Sequence, residues 1–226
     1  MPKLVWDASG EHFYENGVSK GVLYVKNANG TYKTGVAWNG LTAVTESPEG
    51  AEATDIWADN IKYASMRSAE TFGGTIEAYT YPDEWAECDG SGVPVDGVWI
   101  GQQARSSFGF CYRTEIGNDA TTEAGYKLHI IWGATASPSE RGYETINDSP
   151  DAITFSWEFD TVPVAVTGYK PTSCITIDTT RLDAAGKTAL TALETTLYGD
   201  TDESAVATLP TPEQVLTAMG WTAPSA

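Results

Sequence analysis

Basic residues are scarce in this sequence. Thirteen Lys and Arg stand against 31 Asp and Glu, a formal charge of −18 at pH 7. Affinity for nucleic acid rests largely on Lys and Arg neutralising phosphates, so this balance argues against a nucleic-acid binder. It also keeps single chains soluble and mutually repelling. Cysteine is rarer still. Cys88, Cys111 and Cys174 are odd in number and far apart, without a Cys-x-x-Cys or Cys/His spacing for zinc. Free thiols in a reducing compartment are expected. The stretch MPKLVWDASGEHFYENG lacks the basic-then-apolar pattern of a signal peptide, and no apolar run is long enough to span a bilayer. The expectation is synthesis and folding in cytoplasm.

Motifs of catalysis are equally sparse. There is no G-x-S-x-G elbow and no H-E-x-x-H helix. Of the two histidines, His12 and His129, the second lies between Leu128 and Ile130. It is expected to point away from their shared face, beside Lys127, as a solvated or hydrogen-bonded strand residue rather than a base. Carboxylates cluster at Glu46, Glu49, Glu52, Asp55 and Asp59, and again at Asp83, Glu84, Glu87 and Asp89. With Trp57, Tyr81 and Trp85 as sugar platforms they would suit a glycosidase, but solvated loop charge is the simpler reading. The acidic stretches 147–151 and 200–203 do not follow the EF-hand order. No metal, no cofactor and no catalytic residue is expected, and the chain is read as a non-enzyme.

What is present is aromatic and β-patterned. Eight Trp, 11 Tyr and 6 Phe favour strands and contact surface. Phe108, Phe110 and Tyr112 share a face, as do Tyr126, Leu128, Ile130 and Trp132. Ile153, Phe155, Trp157 and Phe159 alternate with Thr154, Ser156, Glu158 and Asp160. Such period-two patterns predict strands with one face buried and one wet. Shorter strands are expected at 3–6, 11–16, turning at Asn16-Gly17, and 20–26. The Asn-Ala-Asn-Gly turn at 27–30 should then return the chain along 31–38. The stretch 36–90 organises the rest. Strand 41–45 leads into an acidic loop at 46–59, followed by strands at 61–68 and 74–81 and an acidic turn at 82–89. A loop of that length in a compact domain is usually functional or disordered.

The chain then changes character. Leu182, Ala185, Ala189, Leu193 and Leu197 recur at helical spacing over 180–198, with Asp178 or Thr179 as cap and Gly199 as stop. Thr211-Pro212-Glu213 opens a short terminal helix, and Trp221 should pin the tail. The organisation expected is one domain: a β core over 1–178, including a protruding arm at 46–59, and a helical segment over 179–226 packed on it.

Three long runs carry a resemblance: WNGLTAVTESPEGAEATDIWADNIKYASMRSAETFGGTIEAYTYPDEWAECDG, GQQARSSFGFCYRTEIGND, and GYKLHIIWGATASPSERGYETINDSPDAITFSWEFDTVPVAVTGYKPTSCITID. With the closing TLPTPEQVLTAMGW, they resemble the major tail protein, or tail tube protein, of long non-contractile-tailed bacteriophages. The resemblance implies a mainly β fold, a β-sandwich or half-barrel with a long acidic loop, a flanking helix and a short terminal helix. It implies hexameric rings stacked into a tube in the virion tail, with tape-measure, tail terminator and tail-tip proteins as partners. Double-stranded DNA would pass through without specific binding, and no membrane is involved. The arm residues Glu46, Glu49, Glu52, Asp55, Trp57 and Asp59 become candidates for contact between subunits. Glu77, Glu158 and Asp160 become candidates for an acidic lumen past which DNA slides. The alternative is a β-sandwich that binds carbohydrate or a host receptor through Trp57, Trp85 or Trp99.

Overall fold

The computed structural model describes residues 4, 6–50, 52–92, 97–146, 148, 151–200 and 205–221. It is mainly β. The strands of the principal sheet are β1 (Tyr14–Val25), β2 (Val36–Trp38), β3 (Leu41–Glu46), β8 (Gly73–Ala78), β9 (Phe108–Gly117), β10 (Gly125–Ala136), β11 (Phe155–Thr161) and β12 (Cys174–Asp178). Their order is β2-β1-β9-β10-β11-β8-β3, every pairing antiparallel. β10 is long enough to take two partners on one side, β12 along Lys127–Ile131 and β11 along Ala134–Ala136. Gly133 makes that change of partner, with φ of +63° and the Val162 carbonyl where a side chain would stand.

The two ends of this sheet are joined by the tight Asn39-Gly40 link between β2 and β3, so the sheet must curl. A side chain at Gly21 of β1 would collide with Leu41 of β3. The curl makes an incompletely closed barrel with a seam, because β2 pairs only Gly21–Leu23 of β1. Along the seam runs a cavity of about 550 Å³ lined by Val18, Lys20, Trp38, Leu41 and Tyr198 among others.

Inside the curl lies an aromatic core. Trp85 is fully buried against Trp38 (ring centroids 4.7 Å), Phe108 (4.9 Å) and Trp157 (5.4 Å). It comes from the acidic turn at 82–89, which folds as a one-turn 3₁₀ segment (Asp83–Trp85) and the short helix α1 (Ala86–Asp89). The outer face of β1, β9, β10 and β12 is a second core. There Val22, Tyr24, Cys111, Leu128, Ile130 and Trp132 pack under Leu190, Leu193 and Leu197 of α2 (Ala184–Tyr198) and Val215 of α3 (Pro212–Ala218). Hydrogen bonds fasten this layer: Tyr24 Oη donates to the Leu197 carbonyl at 2.6 Å and Trp132 Nε1 to the Pro210 carbonyl at 2.8 Å. Arg113 lies 2.5 Å from Glu194 and over the Tyr126 ring.

Several expectations hold and several change. The turn at 27–30 forms, Thr211 caps α3 with a reciprocal Gln214 bond, Gly199 ends α2, and Trp221 packs on Tyr169. α2 starts later than expected and is capped by Asp183, since Asp178 caps a separate 3₁₀ turn. The strands at 11–16 and 20–26 are one strand, because Gly17 and Lys20 adopt positive φ as bulges rather than as a turn. The returning strand at 31–38 is ordered only as Val36–Trp38 and a bridge at Tyr32. The strand at 3–6 falls partly outside the described residues. β9 and β10 are buried on both faces, which their alternation did not suggest, since the helices cover the side expected to be wet. Cys88 and Cys111 are buried free thiols, pushed up to about 12 by burial.

Truncation should separate the two cores. Leu197→Ala should cost about 2–5 kcal/mol and Trp85→Ala about 3–5 kcal/mol in urea unfolding. A loss below about 1 kcal/mol for either would contradict the packing described.

Candidate functional site

Residues 47–72 leave the barrel as a β arm, not a loop. β4 (Glu49–Gly50) pairs β7 (Glu70–Thr71) at its root, and β5 (Ala53–Ala58) pairs β6 (Ile61–Arg67) beyond. The Ser47 N–H donates to the Gly73 carbonyl at 2.8 Å where the arm begins. The tip is Asp59-Asn60, with φ of +50° and +63°. Two consecutive positive φ angles make the tight hairpin turn whose twist suits flanking strands, and Asp and Asn tolerate that region. The loop expected at 46–59 is thus half of the arm, and the strand expected at 61–68 is the other half rather than part of the scaffold. Asp59-Asn60 between two β-prone runs was the signal that could have located the tip.

The arm is two-faced. The register pairs Thr54 with Met66, Ile56 with Ala64 and Ala58 with Ile61, and paired residues share a side. That side is apolar, yet Ile61 and Met66 are each 62% exposed. On the other side Asp55 accepts from Ser65 (2.9 Å) and pairs with Lys62 (2.7 Å), next to the exposed Trp57. Glu52 and Asp59 are exposed, and Glu49 lines a 170 Å³ recess at the root with Glu158 and Asp160.

Glu46 is also exposed, with 36% of its side chain accessible, and differs from its candidate neighbours in its partners. As the last residue of β3, it turns into the barrel mouth, as Val44 does two residues earlier. Its Oε1 accepts from Tyr112 Oη at 2.8 Å and lies 3.3 Å from His129 Nδ1. His129 stacks on Tyr112 (4.6 Å, 3° between planes), and its Nε2 is 3.0 Å from Thr114 Oγ1. The histidine expected to point away from the core is therefore inside the curl, with its side chain 11% exposed. It is of the hydrogen-bonded kind. The His129 hydrogen bond holds the Glu46 carboxyl below the usual range, burial opposes this, and Tyr112 and the charges of His129 and Lys127 lower it further.

The three candidate lumen acids do share a surface. The ladder pairs Ser156 with Glu77, Glu158 with Thr75 and Asp160 with Gly73, while the intervening Trp157 and Ile76 point inward. Glu77 is half-buried and Glu158 and Asp160 are exposed, on the part of the sheet that α2 and α3 leave bare. The sugar platforms fare worse. Trp85 is wholly buried, whereas Trp57 and Trp99 are exposed. Glu87 is paired with Lys33 at 2.7 Å, and Asp89 with Arg141 and the Ser91 N–H. Among the described residues no group of three His, Cys, Asp or Glu is placed to hold a metal. Asn147, Ser149, Pro150 and residues 201–204, part of the acidic stretches, lie outside the described residues. No described helix is long and apolar enough to cross a membrane.

No family model and no curated protein matches the chain. Among solved structures, a chain of the "Cryo-EM structure of the anti-feeding prophage (AFP) baseplate, 6-fold symmetrised" is similar at 7% identity. The TM-score is 0.35, covering 79% of this chain and 100% of that chain. A likeness at that score carries no argument.

The lowered Glu46 carboxyl sets a pH dependence. Its folded-state stabilisation is present above the unfolded carboxylate range and is lost as pH falls through the depressed value. Glu46→Gln should therefore flatten the fall of the urea midpoint below about pH 4.5. An unchanged acid limb would rule Glu46 out as its source.

Proposed function

We propose that this protein is a non-catalytic structural subunit of a bacteriophage tail tube, assembling with copies of itself into stacked hexameric rings that conduct DNA into the host. The observation that carries this reading is the arm. A two-stranded hairpin is marginal by itself in water, and this one turns an apolar face away from its own chain. Burial of that face against a second copy would supply the missing stabilisation. The resemblance of the sequence to tail tube proteins points the same way.

A head-to-tail contact whose rotation closes gives a ring. The unclosed seam beside β1 offers a receiving surface, since β1 has a free edge along residues 14–20 and strand edges accept further strands. The bare acidic face carrying Glu77, Glu158 and Asp160 then faces the lumen, where it repels the duplex and leaves no binding sites along the route. Tape-measure, terminator and tail-tip proteins are the remaining partners, and the location is the virion tail, assembled in host cytoplasm. The carbohydrate-binding alternative retains only Trp57 and Trp99 among its platforms.

Electron microscopy of the purified protein tests the reading. Rings or hollow tubes are expected, and more of them at about 0.15 M salt, where the screening length falls to about 8 Å and repulsion between subunits weakens. Deleting residues 53–67, or introducing Ile56→Asp with Met66→Asp, should abolish assembly while leaving the barrel's circular dichroism intact. Single particles at every salt concentration, together with specific glycan binding, would overturn the reading in favour of the alternative. In tubes that do form, Glu158→Lys with Asp160→Lys should introduce salt-sensitive DNA retention. A lumen indifferent to these changes would place the acidic face elsewhere.

A further inference from the structure

β8 begins beside the arm at Gly73, and Tyr81 follows its other end by three residues. At that far end lies a cleft of about 250 Å³, lined by Tyr81, Asp89, Ser91, Trp99, Arg141 and Tyr143 among others. Its floor is fixed. The Asp89 side chain is only 5% exposed, and its carboxylate accepts from Arg141 Nη2 and, at 2.9 Å, from the Ser91 N–H. The Asp89 carbonyl accepts from Arg105 Nη2 at 2.9 Å. The Arg141 guanidinium lies 5.6 Å from the centre of the Tyr81 ring and 5.9 Å from that of Phe155. Tyr81 stands edge-on to Phe155 and Trp157, both at 5.3 Å, so the core holds its ring in place. The rim differs from the floor. Trp99 and Tyr143 are 53% and 73% exposed, and among the described residues neither side chain has a hydrogen-bond or ring partner. Their ring faces and polar tips are therefore both available.

We propose that this cleft is a binding site for one pyranose ring of an uncharged sugar. Such a ring has an apolar C–H face and an edge of hydroxyls. The Trp99 and Tyr143 rings match the face, offering rigid contact area with few torsions to order. Arg141 supplies donors for the hydroxyl edge. Asp89 already aims that guanidinium, so little further ordering is needed when a ligand arrives. The hydroxyls of Ser91 and Tyr143 can accept as well as donate, as a sugar hydroxyl also does.

Other ligand classes fit the cleft less well. Asp89 offsets Arg141 within the floor, and Asp83 and Glu84 stand on the same turn in a chain of charge −18, so an anion gains little. A cation would have to lie against Arg141. A wholly apolar ligand would cover the Asp89–Arg141 pair without replacing the water it displaces, which is costly. The volume falls below the roughly 300–1,000 Å³ of sites for drug-sized molecules, so one ring is the fit. The site does not depend on the tube reading, although copies arrayed on a particle would add weak single-site affinities into avidity.

Nuclear magnetic resonance on the unassembled chain tests the site, with methyl glycosides of glucose, galactose, mannose and N-acetylglucosamine as probes. At least one glycoside should shift the Trp99 indole N–H signal, with a dissociation constant of about 1 mM for a ligand of this size. Trp99→Ala should weaken binding about ten-fold, read by saturation transfer to the glycoside. Arg141→Lys keeps a cation for Asp89 but loses the planar fork, so it too should weaken binding about ten-fold. The exposed Trp99→Ala serves if Arg141→Lys fails to fold. Trp57→Ala, on the arm, should leave the affinity unchanged. Absence of binding by every glycoside at about 50 mM, far above the expected constant, overturns the site. So does binding that survives Trp99→Ala. Free indole that shifts Trp99 where all the glycosides fail would make the cleft a seat for an aromatic side chain of another protein, and the sugar assignment would fall. None of these results bears on the arm, because no tube is needed for the measurement.

Discussion

The structure depends on filling the inside of a curled sheet. A sheet whose two ends are joined by Asn39-Gly40 has to bend back on itself, and the space it encloses must be packed or the bend gains nothing. Trp85 supplies that filling from outside the sheet, meeting Phe108 and Trp157 edge to face and Trp38 at a tilt. Aromatic pairs in such arrangements contribute about 0.5–1.5 kcal/mol each beyond area burial. With the interior set, β3 and β8 lie side by side at one end of the sheet. Chain inserted between them can only project outward. The position of the arm follows from the packing of the tryptophans.

The outer surface divides according to what covers it. Over β1, β9, β10 and β12 the helices bury an apolar layer, held by Tyr24, Trp132 and the Arg113–Glu194 pair. Over β3, β8 and β11 no described helix lies, and the sheet shows carboxylates and hydroxyls to solvent. In a subunit that makes a tube, one such division would separate a wall from a lining. Under the proposed reading the negative charge would be compatible with assembly, because attraction would be concentrated in the arm and along the seam while repulsion falls off with screening.

The arm shows where sequence reasoning stopped short. Its acidic residues and Trp57 marked the region, but counting charge suggested a loop, and the strand pattern after Asp59 suggested scaffold. Both runs are β-prone, and nothing in periodicity distinguishes a strand that pairs within a barrel from one that pairs only with its neighbour in a projecting hairpin. Glu46, itself exposed, resembles the arm's other acids in sequence for the same reason, and only its partners set it apart. Its inward direction depends on register with Gly74, and register is a property of pairing. His129 was placed on the far side from the core because alternation was assumed to have one buried face.

Local chemistry in the sequence determined the elements themselves: the Asn-Gly turn at 30, the Thr211-Pro212 start and Gly199 stop of helices, and the alternation of β9, β10 and β11. These depend on backbone preferences and side-chain period, which are fixed within a few residues. Tertiary structure alone decided which strands were buried twice, that Trp85 plugs the interior, and that Glu46 meets Tyr112 and His129 across the mouth. Each of those joins residues at least 40 positions apart in sequence or packs separate elements together. Such contacts arise from the closure of the sheet, for which the sequence carries no local signal.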